Sequence, residues 1–266
     1  MELFYRNFGE GAPLIIVHGL YGASDNWLSI GKALAGDFDV YLIDQRNHGQ
    51  SPHSDTHNYP AMRDDLIMFM DKHDLRKAIL VGHSMGGKTV MFLAEAYPER
   101  VDSLIVIDIA PTTCHPDDQS SQARTHTEII NGMLSVDFSQ VKNLEDVNEK
   151  LALTIHSRRI RSFLMKNVSR SREGNYHWKL NAAVIGKELP SIFEGIDLSE
   201  YSPGTGITGF PVLFIRGGNS DYITDDCIPD IKQIFPMAEI VTIPQAGHWL
   251  HAEQPDLLVK TIRYFL

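Results

Sequence analysis

Short apolar runs alternate with longer segments of mixed polarity through most of the chain. The runs are rich in Val, Ile and Leu, and they lack the alternating polar positions of a strand exposed on one face. They predict strands buried on both faces, and the segments between them predict helices, an alternation typical of a parallel sheet covered on both sides. The predicted strands cover residues 14–17, 40–43, 78–81, 104–107, 210–215 and 239–243.

Three helices are predicted between the first strands, over residues 24–35, 60–72 and 84–97. Ser24 is a residue type that caps helix N-termini, so it is predicted to cap the first of them. Pro60 opens the second helix, where proline is tolerated in the first turn.

Residues 112–208 interrupt this alternation. They contain no convincing strand, and their apolar residues recur at helical spacing, as in Leu144, Val147, Leu151 and Ile155. The Pro-Gly-Thr-Gly sequence at residues 203–206 is typical of a loop that returns to the core. We therefore predict a core built from residues 1–111 and 209–266, with residues 112–208 inserted as a helical cap over the carboxyl edge of the sheet.

The composition fits one large α/β domain. The 266 residues are 43% hydrophobic and 22% charged, as is typical of a soluble globular protein. No apolar run approaches the ~18 residues that span a bilayer, and the first residues lack the basic and apolar regions of a secretory signal. Because only two cysteines occur, Cys114 and Cys227, we expect free thiols in a reducing compartment, and so a cytoplasmic protein without membrane insertion.

The net charge and the pattern of histidines limit the kinds of ligand and cofactor that we expect this protein to bind. A net charge of −10 without a basic face argues against nucleic acid. The densest basic stretch predicts either a solvated helix face or a rim that attracts an anion such as an acyl-CoA, and it contains Arg158, Arg159, Arg161, Lys166, Arg170 and Arg172. The twelve histidines form no His-Glu-x-x-His motif and there is no paired Cys-x-x-Cys, so we predict no metal and no organic cofactor. The oligomeric state stays open.

The strongest chemical signal is Gly-His-Ser-Met-Gly-Gly at residues 82–87. It fits the G-x-S-x-G nucleophile elbow, in which a serine occupies a sharp turn between a strand and a helix. The context agrees, because a predicted strand precedes the motif and a predicted helix follows it. The free N–H groups at the start of that helix favour an anion. Ser84 is therefore the predicted nucleophile.

A serine hydroxyl needs a base to remove its proton. His248 follows the last predicted strand, which is where the base belongs when the chain order is serine, acid, histidine. His251 is its rival and is expected to line the next helical turn. His83 is expected to pack into the core, and His18 to orient the loop that follows it.

Acyl transfer places negative charge on the carbonyl oxygen, and two backbone N–H groups can hold it. Beside a nucleophile elbow, one donor is the residue after the serine, here Met85. The other comes from a loop after an early strand. The His-Gly-Leu-Tyr-Gly sequence at residues 18–22 supplies such a loop, with Leu20 as the predicted donor.

Taken together, the chain resembles the α/β-hydrolase superfamily from end to end and, more narrowly, the YbfF-type bacterial esterases. The segments that carry this resemblance are residues 18–22, 25–27, 44–51, 82–87, 106–111, 217–220 and 247–253. It implies a mostly parallel sheet with helices on both faces, a helical cap over the pocket, and hydrolysis of acyl esters and acyl-CoA thioesters.

The triad acid has two candidates. An acid must hold the histidine in the correct tautomer and stabilise its cation. Asp221 follows a predicted strand at the position that is commoner in the superfamily. The YbfF-type resemblance instead points to Asp108 as the acid, with Ser220 as an auxiliary partner. Either aspartate could also be a cap or turn residue, and the sequence leaves this choice open.

The predicted activity is ester hydrolysis through an acyl-enzyme on a small-molecule substrate. A carbon–carbon bond hydrolase on the same triad is one alternative, and a binding protein without turnover is another. Dehalogenases and epoxide hydrolases of this fold need an aspartate nucleophile, which Ser84 excludes.

Overall fold

The computed structural model describes residues 1–112, 121–202 and 204–266. Its strands are β1 (Tyr5–Phe8), β2 (Ala12–Val17), β3 (Phe38–Ile43), β4 (Ala78–His83), β5 (Val101–Ile107), β6 (Val168–Arg170), β7 (Tyr176–Trp178), β8 (Val212–Gly217) and β9 (Ala238–Ile243). Its α-helices are α1 (Leu28–Leu34), α2 (Tyr59–Lys72), α3 (Met85–Ala96), α4 (Ser121–Leu134), α5 (Leu144–Ala152), α6 (Arg158–Leu164), α7 (Ala182–Lys187), α8 (Leu189–Phe193), α9 (Ile228–Ile234), α10 (Leu250–Glu253) and α11 (Pro255–Phe265). Short 3₁₀ turns cover Ser24–Trp27, Pro98–Arg100, Phe138–Gln140, Met165–Asn167, Leu198–Glu200 and Asp225–Cys227.

Within the described residues, seven strands form one sheet in the order β1-β3-β2-β4-β5-β8-β9. Every neighbouring pair is parallel except β1 and β3. The predicted fold class is confirmed, and all six predicted strands lie in this sheet. The sequence pattern missed β1, because its side chains alternate between exposed and half-buried and form no apolar run.

The central strands of the sheet are buried on both faces, as the continuous apolar runs predict, whereas the edge strand β9 is only partly buried, with Glu239 and Thr242 exposed. On β2, Ile15 and Val17 pack into a cluster with α2 and α3, whereas Leu14 and Ile16 face the opposite cluster with α1 and α11. Side chains that alternate along a strand point to opposite faces of the sheet, so an apolar residue is needed at each position. This arrangement brings the carboxyl ends of β2, β4, β5 and β8 to one edge.

Two local predictions are wrong. Residues 112–208 do contain strands, since β6 and β7 pair in an antiparallel hairpin. Each has three residues, too few to produce a recognisable alternation. Ser24 is not a helix cap, because it lies inside a 3₁₀ turn and its N–H donates to Asp44 Oδ1 at 2.6 Å. Cys114 and Pro203, from the predicted thiol pair and return loop, lie outside the described residues.

We call residues 112–208, as far as they are described, the inserted segment. It leaves the sheet after β5 and returns before β8, two neighbouring strands. Its helices α4–α8 share one buried apolar cluster with core residues that include Leu20, Tyr21, Tyr59 and Met85. The inserted segment therefore packs on the loops at the carboxyl edge of the sheet. No helix in the described parts of the chain is long and apolar enough to cross a membrane.

Candidate active site

Ser84 lies between β4 and α3 in a strained backbone conformation, with φ 53° and ψ −123°. This turn brings backbone atoms into close contact. A Cβ atom on Gly82 would lie 2.3 Å from the Gly86 carbonyl oxygen, and one on Gly86 would lie 2.3 Å from the Val17 carbonyl oxygen. Only glycine fits at either position, which explains why the motif places small residues on both sides of the serine.

The turn of residues 19–22, which follows β2, lies directly against the elbow. A Cβ atom on Gly19 would lie 3.0 Å from Ser84 Cβ. The turn is closed by the Gly22 N–H, which donates to the Gly19 carbonyl at 3.0 Å. Among the described residues, no acceptor is hydrogen-bonded to the backbone N–H of Leu20 or of Met85. The two predicted oxyanion donors are thus unengaged groups beside Ser84.

Asp108 lies at the end of β5 and is fully buried. Its Oδ2 accepts from His248 Nδ1 at 2.8 Å and also from the Ser220 hydroxyl. Its Oδ1 accepts from the Gly217 N–H at 2.9 Å. Three donors therefore compensate the cost of burying this carboxylate. The structure brings together Ser84, His248, Asp108 and Ser220 at one edge of the sheet.

Asp221, the other candidate acid, is solvent-exposed. Its backbone carbonyl accepts from Gln122 Nε2 at 2.9 Å. Nδ1 of His248 is hydrogen-bonded to Asp108 instead. The next residue, Tyr222, does reach the histidine, since its ring stacks on the His248 ring with centroids 3.6 Å apart and planes 14° from parallel. Sequence reasoning missed Tyr222, because neither its residue type nor its spacing marks it.

Comparison with known proteins identifies the family. The profile of the alpha/beta hydrolase fold matches residues 12–255. The chain belongs to the α/β-hydrolase family. Esterase YbfF of Escherichia coli strain K12 is 34% identical over 263 residues, 98% of this chain and 95% of YbfF. The sn-1-specific diacylglycerol lipase ABHD11 of Mus musculus is 34% identical over 255 residues, 95% of this chain and 80% of that lipase.

A solved structure described as a marine microorganism esterase is also similar to this α/β-hydrolase. Its TM-score is 0.94 and its identity 45%, and the match covers 100% of this chain and 99% of the other. The predicted superfamily and the resemblance to YbfF-type esterases are confirmed. The relatives span nearly the whole chain, so the family covers both the sheet and the inserted segment.

A cavity of about 290 Å³ opens beside Ser84 in this α/β-hydrolase. The core contributes Ser84, His248 and the turn of residues 19–22. The inserted segment contributes apolar side chains, among them Ile129, Ile160, Phe163 and Leu164. An apolar wall opposite a nucleophile can receive an acyl chain.

The arginines of the basic stretch at residues 158–172 make different kinds of contact. Arg159 lines the cavity, where it forms an ion pair with Glu253 and its guanidinium lies 4.6 Å from the centroid of the Trp249 ring. Arg161 and Arg170 donate to backbone carbonyls of their own segment. The stretch therefore supplies the cavity wall with one arginine, whose charge is already paired.

Besides His248, four histidines line the cavity: His18, His83, His126 and His251. Burial, reinforced by the nearby His248, lowers the pKa of His83 well below its usual value and the pKa of His126 and of His251 to about 4. His83 Nε2 donates to the His248 carbonyl at 2.8 Å, and His251 stacks on Trp27 with ring centroids 4.6 Å apart. The rings of His83, His126 and His251 are therefore neutral at neutral pH, and these contacts fix the rings of His83 and His251. Within the described residues, no three His, Cys, Asp or Glu side chains are arranged to hold a metal ion.

Proposed function

We propose that this protein is a serine hydrolase that cleaves carboxylic esters through an acyl-enzyme on Ser84. The observation that carries the proposal is the geometry around one cavity. Ser84 lies at a nucleophile elbow, and His248, which lines the same cavity, is hydrogen-bonded to the buried Asp108. The relatives named esterase and lipase support the same reaction class.

In this mechanism His248 is the general base. Its Nδ1 donates to Asp108, so the neutral ring has a free lone pair on Nε2, which accepts the proton of Ser84 as the hydroxyl attacks the ester carbonyl. The N–H groups of Leu20 and Met85 stabilise the oxyanion. His248 then protonates the leaving alkoxide and activates the water that hydrolyses the acyl-enzyme.

Asp108 acts through His248. Its carboxylate fixes the tautomer with the proton on Nδ1 and stabilises the imidazolium formed in each half-reaction. Ser220 and the Gly217 N–H orient that carboxylate. In this proposal Asp108 is the acid, Ser220 is its auxiliary partner, and Asp221 has no part in the triad.

We extend the proposal to acyl-CoA thioesters, since attack on a thioester carbonyl needs the same nucleophile, base and oxyanion donors. The resemblance to YbfF-type esterases supports this extension. A panel of p-nitrophenyl esters and acyl-CoAs tests it, with labelling by a fluorophosphonate probe in parallel. Labelling with turnover of both substrate classes is expected. Labelling without turnover of either would favour a carbon–carbon bond hydrolase, and neither labelling nor turnover would favour a binding protein.

We also propose that the inserted segment is a cap that sets the size of the acyl group. Phe163→Ala removes an aromatic side chain from the cavity wall. The ratio of kcat/KM for octanoate over acetate esters is expected to rise about tenfold, because each methylene accommodated in an apolar pocket contributes ~1 kcal/mol or more. Steady-state kinetics with a series of p-nitrophenyl esters measures this ratio.

Phe138→Ala is the matched control for Phe163→Ala. Phe138 lies in the same segment, where it packs edge-on against Trp178 with ring centroids 5.3 Å apart, and neither ring lines the cavity. The control should leave the octanoate-to-acetate ratio unchanged. An equal change in both variants, or no change in either, would mean that the segment packs on the core without selecting the acyl group.

A further inference from the structure

The turn of residues 19–22 holds its shape through an unfavourable backbone conformation. Tyr21, its third residue, has φ 61°. A residue with a bulky side chain adopts this left-handed conformation only where the surrounding structure imposes it. The conformation matters because it allows the Gly22 N–H to reach the Gly19 carbonyl at 3.0 Å.

The Gly19 carbonyl in turn sets the direction of the Leu20 N–H. Both groups belong to one planar trans peptide, so they point in opposite directions. His18 Nε2 accepts from the Gln45 N–H at 3.1 Å, which leaves the ring proton on Nδ1. His18 Nδ1 then donates to the Gly19 carbonyl at 2.8 Å. With two donors on this oxygen, the Leu20 N–H has a defined orientation.

Two buried side chains hold the backbone of Tyr21. Its N–H donates to His48 Nε2 at 3.2 Å, and its carbonyl accepts from Asn167 Nδ2 at 2.8 Å. His48 is fully buried and Asn167 is only 4% exposed. His48 belongs to the loop after β3, whereas Asn167 belongs to the inserted segment, directly before β6.

We propose that His48 and Asn167 are positioning residues of the oxyanion hole, because together they hold Tyr21 in the conformation that directs the Leu20 N–H. This inference rests on the proposed function, since it requires the Leu20 N–H to bind the oxyanion. It gives the inserted segment a second role. Besides lining the cavity, the segment supplies Asn167, and the oxyanion hole is complete only when the segment is packed on the core.

The surroundings of both residues support this role. His48 Nδ1 lies 3.0 Å from the Arg46 carbonyl, which can only accept, so the proton is on Nδ1 and Nε2 is free to accept from Tyr21. Burial, with the neighbouring His18 and His57, lowers the pKa of His48 well below its usual value, so Nε2 remains an acceptor at neutral pH. The backbone carbonyl of Asn167 accepts from the Lys179 N–H at 2.7 Å, which anchors Asn167 to the β6–β7 hairpin.

The test compares Asn167→Leu with wild type. Leucine has nearly the same size and cannot donate to the Tyr21 carbonyl. For p-nitrophenyl butyrate we expect kcat to fall about a hundredfold with KM within twofold, because a displaced oxyanion donor affects the transition state more than the bound ester. The inhibition constant of a trifluoromethyl ketone, which forms a tetrahedral oxyanion on the serine, should rise by a similar factor.

Two substitutions of His48 give an independent test, because one removes the hydrogen-bond acceptor and the other restores it. His48→Leu removes the acceptor for the Tyr21 N–H and should lower kcat and trifluoromethyl ketone affinity together. His48→Gln keeps an acceptor oxygen at the end of a side chain of similar reach, so it should recover most of both quantities. A purely structural role would show no such parallel recovery of transition-state affinity.

Asn143→Ser is the matched control. Asn143 is another asparagine of the inserted segment, and its Nδ2 donates to Asp146 Oδ1 at 3.1 Å, within that segment. Serine keeps its capping role on α5. This variant should retain wild-type kcat and inhibition constant. Where Asn167→Leu does not fold, Asn167→Ala, whose side chain has no donor, replaces it.

The outcomes separate this inference from the proposed function. Folded Asn167 and His48 variants with wild-type kcat and ketone affinity would overturn the inference, even when wild type is labelled by a fluorophosphonate. A rise in KM alone would also overturn it. Failure of the fluorophosphonate to label Ser84 in wild type would overturn the proposed function itself.

Discussion

Ser84→Ala is expected to lower kcat for ester hydrolysis by about 10⁶-fold, the loss that follows when the nucleophile is removed from a serine triad. The physical reason is that nucleophile, base and acid act as a unit. Without the hydroxyl, no acyl-enzyme forms, and His248 and the oxyanion donors can assist only direct attack by water. The measurement is kcat for p-nitrophenyl butyrate with wild type and variant at matched concentrations.

Mass spectrometry gives this prediction a second readout. After treatment with a sulfonyl fluoride, wild type should carry one adduct, on the peptide that contains Ser84. Ser103→Ala is the control, because Ser103 is also a buried serine but lies within β5, away from the cavity. It should retain both the adduct and the activity. Loss of activity with an adduct elsewhere and Ser84 unmodified would contradict the assignment.

Asp108→Asn is expected to lower kcat/KM by about 10⁴-fold near pH 8. Asparagine keeps the size of the side chain but replaces one carboxylate oxygen with an NH₂ group. If its oxygen accepts from the Gly217 N–H, as Oδ1 of Asp108 does, the amide donates toward His248 Nδ1. That interaction stabilises the tautomer with the proton on Nε2, which cannot accept the proton of Ser84.

Asp221→Asn is the matched comparison. It makes the same chemical change, but on the exposed side chain that follows Ser220. It should keep kcat/KM within a few-fold of wild type. Circular dichroism establishes that both variants fold. If Asp221→Asn lost most of its kcat/KM while Asp108→Asn stayed close to wild type, Asp221 would be the acid. Comparable partial losses would mean that both carboxylates stabilise the imidazolium.

Parts of this protein were predictable because the deciding interactions are local in sequence. Each of the six parallel strands carries its own apolar run, and the elbow carries its glycines beside the serine, so these strands and the position of Ser84 followed from short segments. The hairpin β6–β7 and the edge strand β1 were missed for the complementary reason. Their residues are few or alternate in exposure, and their pairing depends on partners that the local pattern does not reveal.

By itself, the sequence determined the α/β-hydrolase sheet, the serine turn and the place of His248 after the last strand, since strand burial and turn geometry are set by neighbouring residues. It favoured Asp108 as the acid through the family resemblance and kept Asp221 as the alternative. Only the tertiary structure decided which carboxylate is buried against His248, that Tyr222 stacks on that ring, and that Asn167 reaches Tyr21. These contacts join residues that the chain brings together only when sheet, loops and inserted segment pack against one another, and no local pattern encodes such packing.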